Sequence, residues 1–346
     1  MSARSLPRAA LARNTASTSL EALGFDGLCA LCRSSSGVHA PDPVVATDPR
    51  GAPPIIYSEA RASRLKPQGC VVCDSETCPA ADVVELPGGD AAWLTPNFYP
   101  ITFPFEQGPF EDGRPGARGV HLVQWSSLRH DGGLPGADAA TAAALLAQLA
   151  RAEEWLLHNA GPDYPASGDG HRGHVGVIKN CGRRVGGSVE HDHQQILLSS
   201  VPFAEPPLTP GLKRALLDDH SRRRTVDYLE GGALTLVPSF MRRPLHAFIV
   251  PAGGEVGWLH HLDDAVRDAV ALATARLTRA VSAAMTAAGQ DPAWNLVVHN
   301  GPGCGPLLEL RPFTQPFGGY EHIGLYLCEE RPETSAARLR EALAAG

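Results

Sequence analysis

The stretch Val175-Gly-Val-Ile-Lys-Asn180-Cys-Gly182-Arg-Arg-Val-Gly186-Gly187-Ser188-Val-Glu-His191-Asp-His193-Gln-Gln195-Ile-Leu-Leu198 is an apolar run, a turn cluster and a second apolar run. It reads as two strands joined by a glycine-rich loop. On the second strand a period of two sends His191, His193 and Gln195 to one face, with Asp192 and Gln194 on the other. Glycines at 182, 186 and 187 let backbone amides approach an anion closely, and Ser188 adds a hydroxyl donor, so a phosphate is the natural guest. A neutral imidazole beside a phosphate can attack phosphorus. A short H-x-H alone usually marks surface histidines on an edge strand. The longer string, N-x-G, then G-S, then H-x-H-x-Q, shifts the reading toward chemistry.

Working outward, 346 residues allow two domains of ordinary size, and 43% hydrophobic residues can fill substantial cores. A net charge of -7 and a pI near 6.0, with no long basic stripe, argue against nucleic acid as a partner. The Ala- and Leu-rich segments are broken by Arg, Asp or Glu, so no run approaches the roughly 20 apolar residues that span a bilayer. A soluble, cytoplasmic protein is expected. The Arg-rich N-terminus has no acid before Glu21 and no secretory h-region, and is expected to be a flexible tail. Eight cysteines, at 29, 32, 70, 73, 78, 181, 304 and 328, include two C-x-x-C pairs. In a large, unsecreted chain that spacing suggests metal more than disulfides.

Two halves of the chain echo each other. Leu94-Thr-Pro-Asn97-Phe98, then Gly119-Val-His-Leu-Val-Gln-Trp, lead into an Ala/Leu-periodic helix near 137 to 158. Leu236-Val-Pro-Ser-Phe240, then Leu245-His-Ala-Phe-Ile-Val-Pro251, lead into a comparable helix near 262 to 287. After each helix come two strands, and the last of the second copy carries Glu309 and Arg311 where the first has its histidines. Only the first copy then keeps the chemistry. The expected organisation is an arm over 1-45, a catalytic domain over 46-205 and a degenerate domain over 206-346, separated by a linker with Pro202, Pro206, Pro207 and Pro210.

The glycine-loop and H-x-H-x-Q string resembles the histidine-triad superfamily in its transferase branch, which holds galactose-1-phosphate uridylyltransferase and the dinucleoside and nucleotide-sugar phosphorylases. Hydrolase branches carry a third histidine where this chain has Gln195. The resemblance runs over roughly 48 to 340 and is densest from 70 to 200. It implies an α+β fold of two tandem repeats, each an antiparallel half-barrel sheet with a long helix, and a homodimer.

Cys70-Val-Val-Cys73 can grip one zinc ion through a tight turn. His130 resembles the segment that supplies the family's third zinc ligand, and His191 is the expected fourth. Such a zinc would be structural, because four protein ligands leave no open position for water. Cys78 is an alternative to one of that pair, and Cys29 with Cys32 could hold a second metal. Arg61 and Arg64 resemble the two arginines that neutralise substrate phosphates, a role suited to a permanently charged planar fork. Asn97 matches the family's asparagine near the nucleoside, but Phe98 stands where uridylyltransferases place an aspartate on ribose. Tyr320 and Glu321 resemble the segment that contacts the hexose. The family's second H-x-H is absent, so the secondary iron site of some members is expected to be lost. His299, after a strand, is a further candidate for lining the pocket.

The resulting expectation is nucleotidyl transfer by a ping-pong route. His193 attacks the α-phosphorus of a nucleotide sugar, and a sugar 1-phosphate collects the nucleotide. Gln195, Ser188 and amides at Gly186 and Gly187 would hold the nonbridging oxygens, Asn180 would contribute to the same loop, and a neighbouring carbonyl would orient the His193 ring. The nearest named activity is UDP-glucose:hexose-1-phosphate uridylyltransfer, in galactose metabolism. Alternatives are a phosphorylase acting on ADP-sugar or diadenosine polyphosphate, and a zinc-stabilised nucleotide-binding protein without turnover.

Overall fold

In the computed structural model, residues 4–42, 45–46, 54–62, 69–106, 117–203, 211–253, 257–301 and 305–345 are described. Arg64 and most of the proline-rich linker lie outside them. The chain forms two units, one of residues 1–133, 148–177 and 191–208, the other of 134–147, 178–190 and 209–346. Among the described residues no helix is long and apolar enough to cross a membrane.

The first unit is built on strands β1 (Asp82–Leu86), β2 (Asp90–Pro96), β3 (Gly119–Trp125), β4 (His174–Cys181, of which 174–177 belong here) and β5 (His193–Ser199). Their hydrogen-bonded order is β1-β2-β3-β5-β4, with β1/β2, β2/β3 and β3/β5 antiparallel. Gly88 and Gly89 turn the chain tightly between β1 and β2 with φ of 71° and 77°, a region that side-chain-bearing residues avoid. All seven residues of β3 are buried, so its two polar side chains, His121 and Gln124, both take hydrogen-bond partners inside the unit.

Three helices of this unit are longer than four residues. They are α1 (Arg8–Arg13), α2 (Phe25–Ser34) and α3 (Ala139–Asn159), whose residues from Gln148 onward lie in this unit. Leu149, Ala152 and Leu156 of α3 are buried at helical spacing. The buried Gln148 ties that helix to the sheet: its Oε1 accepts from Gln124 Nε2 at 2.8 Å, and its Nε2 donates to Asp82 Oδ1 at 2.6 Å.

The expected flexible arm is corrected here. Over residues 4–42 the segment is largely helical, and it buries Leu6, Leu11, Leu20, Leu28, Cys29 and Cys32. It is also stitched on through backbone bonds from Leu6 N to Leu128 O and from Ala80 N to Asn14 O, both 2.8 Å. The Arg-rich composition hid an apolar stripe that needs a surface to cover.

The second unit contains β6 (Thr225–Leu229), β7 (Ala233–Leu236), β8 (Ala247–Pro251), β9 (Trp294–His299) and β10 (Leu307–Pro312). Their order is β6-β7-β8-β10-β9. The helices longer than one turn are α4 (Leu212–Asp218), α5 (Asp264–Ala287) and α6 (Pro332–Ala345). Asp263 caps α5 by accepting from Val266 N at 2.9 Å, and Trp294 Nε1 donates to Ser282 Oγ of that helix at 3.0 Å. Leu216, Leu236, Phe248, Val250 and Leu307 form a core cluster. Of the strands β1 to β10, three precede the long helix and two follow it in each half of the chain.

Candidate active site and metal centre

Register on the first sheet decides which side chains meet. His193 lies opposite Trp125, and Gln195 opposite Val123, in the β5/β3 pair. Directly opposed residues share a face, so His193, Gln195, His121, Val123 and Trp125 point to one side. Gln194 points to the other, where its Oε1 accepts from Ser126 Oγ at 2.9 Å. His191 precedes β5 rather than lying within it, because the strand begins at His193.

His193 is buried, and its Nδ1 lies 2.9 Å from the His191 carbonyl oxygen, which is the neighbouring carbonyl sought from sequence. A carbonyl can only accept, so the proton sits on Nδ1 and the lone pair on Nε2. The Trp125 ring packs beside it with centroids 5.4 Å apart. The result is an imidazole with one fixed tautomer and one fixed ring plane.

Cys70, Cys73, His130 and His191 each place a ligand atom within 4.8 Å of all the others. Cys70 Sγ is 3.5 Å from His191 Nδ1, and Cys73 Sγ is 3.8 Å from His130 Nδ1 and 3.9 Å from His191 Nδ1. A tetrahedral zinc spaces such ligands roughly 3.4–3.8 Å apart, given its usual bond lengths. Burial and the neighbouring Cys70 push the Cys73 thiol up to about 11, so a thiolate here calls for a cation. The second nitrogen of His191 donates to Ser127 O at 2.7 Å, which leaves Nδ1 for the metal. The residues fit a four-ligand metal centre. Cys78 is outside it, and Cys29 and Cys32 are buried free thiols in α2, not part of any such cluster among the described residues.

Asp90, not foreseen from sequence, organises the loop that carries His130 and the Ser127 carbonyl. One carboxylate oxygen accepts from Ser127 Oγ at 2.6 Å and the other from Leu128 N at 2.7 Å. An amide at this position turns an N–H toward one of those donors. Asp90→Asn is therefore expected to weaken metal affinity about 10- to 100-fold, measured by chelator competition. Unchanged affinity would mean that the loop is held by other bonds.

Gly133 guards the same region. Its φ is +127°, and a Cβ there would lie 2.3 Å from the Asp192 side chain, between the two histidines of the motif. Gly133→Ala is expected to cost about 2 kcal/mol or more in urea unfolding. A change under half of that would show that the loop yields freely.

Gln195 is half-buried and its Oε1 lies 2.9 Å from His121 Nε2. Asn97 Oδ1 accepts from Tyr99 N at 2.9 Å, and its Nδ2 sits 3.2 Å from the same His121 nitrogen. Arg61 donates to Tyr99 O at 2.6 Å and adds positive charge near His121. One expected catalytic residue, Gln195, and two expected substrate residues, Asn97 and Arg61, thus lie around one histidine that no sequence motif marks. Its signal was a lone imidazole inside the buried strand Gly119–Trp125. Phe98 packs its ring 3.2 Å from where a Gly37 Cβ would stand, on the N-terminal segment.

Apart from Arg64, which lies outside the described residues, the remaining expected residues belong to the second unit. Gly186, Gly187 and Ser188 lie in segment 178–190, with Ser188 exposed. A Cβ at Gly187 would meet Gly182 O at 2.8 Å, so that loop requires glycine. Asn180 Oδ1 accepts from Asn295 Nδ2 at 2.7 Å. Tyr320 is 71% exposed, and the Glu321 carboxylate accepts from Gly318 N at 2.8 Å and Leu327 N at 3.1 Å, closing its own turn.

His299, the candidate pocket residue, is buried against a carboxylate. Glu309 accepts from His299 Nε2 at 2.6 Å, His246 Nε2 at 2.7 Å and Arg311 at 2.7 Å. Burial alone would raise the Glu309 carboxyl, but these three donors together hold it well below the usual range.

No protein-family model matches the sequence, and neither does any curated protein. Solved structures do match. A uridylyltransferase aligns over 87% of this chain and 99% of its own, at 20% identity and a TM-score of 0.68. The chain has the uridylyltransferase fold. A galt-like protein from Arabidopsis thaliana shares that fold over 80% of this chain and 93% of its own, at 20% identity and a TM-score of 0.63. An ADP-glucose phosphorylase from the same plant, with bound ADP-glucose, covers 87% of this chain and 98% of its own, at 20% identity and a TM-score of 0.62.

Proposed function

We propose that this protein is a nucleotidyltransferase that passes a nucleoside monophosphate from a nucleotide sugar to a sugar 1-phosphate through a nucleotidyl-His193 intermediate. The observation that carries it is the His193 tautomer, with Nδ1–H on the His191 carbonyl and the lone pair on Nε2. That lone pair attacks the α-phosphorus, a P–N bond forms, and the P–O bond to the leaving sugar 1-phosphate breaks. The ring becomes cationic as it attacks, and the carbonyl on Nδ1–H is placed to stabilise that charge. A phosphate oxygen of the acceptor then attacks the same phosphorus, the P–N bond breaks, and neutral His193 returns. Gln195 holds a nonbridging oxygen, and Arg61 with Asn97 serves the phosphates and nucleoside. The sequence resemblance supports phosphate binding by Arg64, Asn180, Gly186, Gly187 and Ser188, and sugar binding by Tyr320 and Glu321.

Cys70, Cys73, His130 and His191 hold a structural zinc that fixes the residue whose carbonyl orients His193. The chain carries two tandem histidine-triad repeats, over 46-205 and 206-346, a reading supported by the order of strands about each long helix. The enzyme works as a cytoplasmic homodimer, in galactose metabolism if the donor is UDP-glucose.

The phosphorylase reading is favoured by Phe98, which replaces an expected acid at the ribose with a ring packed on Gly37. The two readings separate in an exchange assay. UDP-glucose with labelled galactose 1-phosphate is expected to yield labelled UDP-galactose. Release of ADP from ADP-glucose and inorganic phosphate, without that exchange, would install the phosphorylase in its place. A protein that binds both donors and turns over neither would be a binding protein.

A further inference from the structure

A buried histidine that touches no reacting atom sets the direction in which Gln195 faces. His121 is 5% exposed, and its two ring nitrogens have different partners. Ile101 N lies 3.1 Å from Nδ1. A backbone N–H can only donate, so Nδ1 is the acceptor and the ring proton sits on Nε2. That Nε2–H has Gln195 Oε1 at 2.9 Å. Asn97 Nδ2, at 3.2 Å from the same atom, is itself a donor and cannot take the proton. Asn97 Oδ1 is in turn committed to Tyr99 N.

Carboxamide oxygen and nitrogen differ only in their hydrogen-bond partners. With Oε1 bound to His121, the NH2 of Gln195 has to face away from it. Gln195 is two residues from His193 on the same strand face, and its two N–H donors are left for partners other than His121. Reversed, the amide would present a carbonyl oxygen to the oxygens of a phosphate.

We propose that His121 is a positioning residue, a neutral Nε2–H imidazole that locks the Gln195 amide with its NH2 toward the transferring phosphoryl group. Burial pushes the His121 pKa down to about 4, so the ring stays neutral at working pH and Nδ1 stays an acceptor. The strand geometry supports the role, since His121 opposes Leu197 and reaches Gln195 across the diagonal between β3 and β5. This inference rests on the nucleotidyl-transfer reading given above.

The test is a double-mutant cycle with an independent structural readout. His121→Phe keeps the bulk and loses both nitrogens; it is expected to lower kcat roughly 10- to 100-fold while KM changes less than about threefold. His121→Gln, which restores a donor toward Gln195 Oε1, is expected to recover most of the loss. In a Gln195→Ala background His121→Phe is expected to have no further effect on kcat, because the residue acts only through that amide. Additive losses would overturn the proposal. The wild-type protein supplies a readout that needs no variant: 15N shifts of His121 are expected to show the Nε2–H tautomer from pH 5.5 to 8. An imidazolium or an Nδ1–H tautomer would overturn the positioning role and leave nucleotidyl transfer standing. Failure of wild type to take up label on His193 would overturn both.

Discussion

His193→Ala is expected to lose turnover by about 10^4-fold or more while retaining its fold and its metal. The loss follows from the chemistry proposed for this side chain. It forms the covalent bond, and other groups on the face only position or stabilise what it carries. Removing a nucleophile costs far more than removing a positioning group, because no lesser contact substitutes for the bond itself. The ring is buried against Trp125, and its deletion leaves a cavity, so a modest loss of stability accompanies the change. Circular dichroism and metal content should therefore match wild type within error. Half-activity in His193→Ala would remove the nucleophile from the account.

The second large effect concerns the metal centre. Cys70→Ser and Cys73→Ser are each expected to lose near-stoichiometric zinc and to lower Tm by roughly 10 °C or more, since binding energy at a structural site is folding energy. Activity should fall as well. His191 belongs to both proposed arrangements, with Nδ1 beside the cysteine sulfurs, Nε2 on Ser127 O, and its own carbonyl on His193 Nδ1. Losing the metal frees the residue whose carbonyl selects the nucleophile's tautomer. Elemental analysis and calorimetry on the same samples check both parts. Retention of about one zinc per chain in Cys70→Ser would count against the ligand set.

The parts legible in sequence were those where residue type and spacing carry the chemistry directly. Cys70, Cys73, His130 and His191, the last two far apart in sequence from the first pair, are brought within one ligand sphere. The strand, long helix, strand order was visible because apolar periodicity switches twice in each half of the chain. The less legible parts depend on partners rather than on residue types. Nothing in the composition of residues 4–42 says that its apolar positions have a surface to cover. Asp90 looks like a strand-edge acid until Ser127 and Leu128 fold onto it. His121 stands in a strand with no motif around it, and its meaning appears only when Ile101 N fixes one nitrogen and Gln195 takes the other. Glu309 reads as a lost histidine in sequence, whereas in the fold it anchors His246, His299 and Arg311.

The most direct test of the central claim is mass spectrometry of the intact protein and its peptides after brief incubation with UDP-glucose or ADP-glucose in the absence of acceptor. The account predicts one acid-labile nucleoside monophosphate per chain, located on the His193 peptide and absent from His193→Ala. A protein that turns over these donors with no adduct, or with the adduct on another residue, would contradict it.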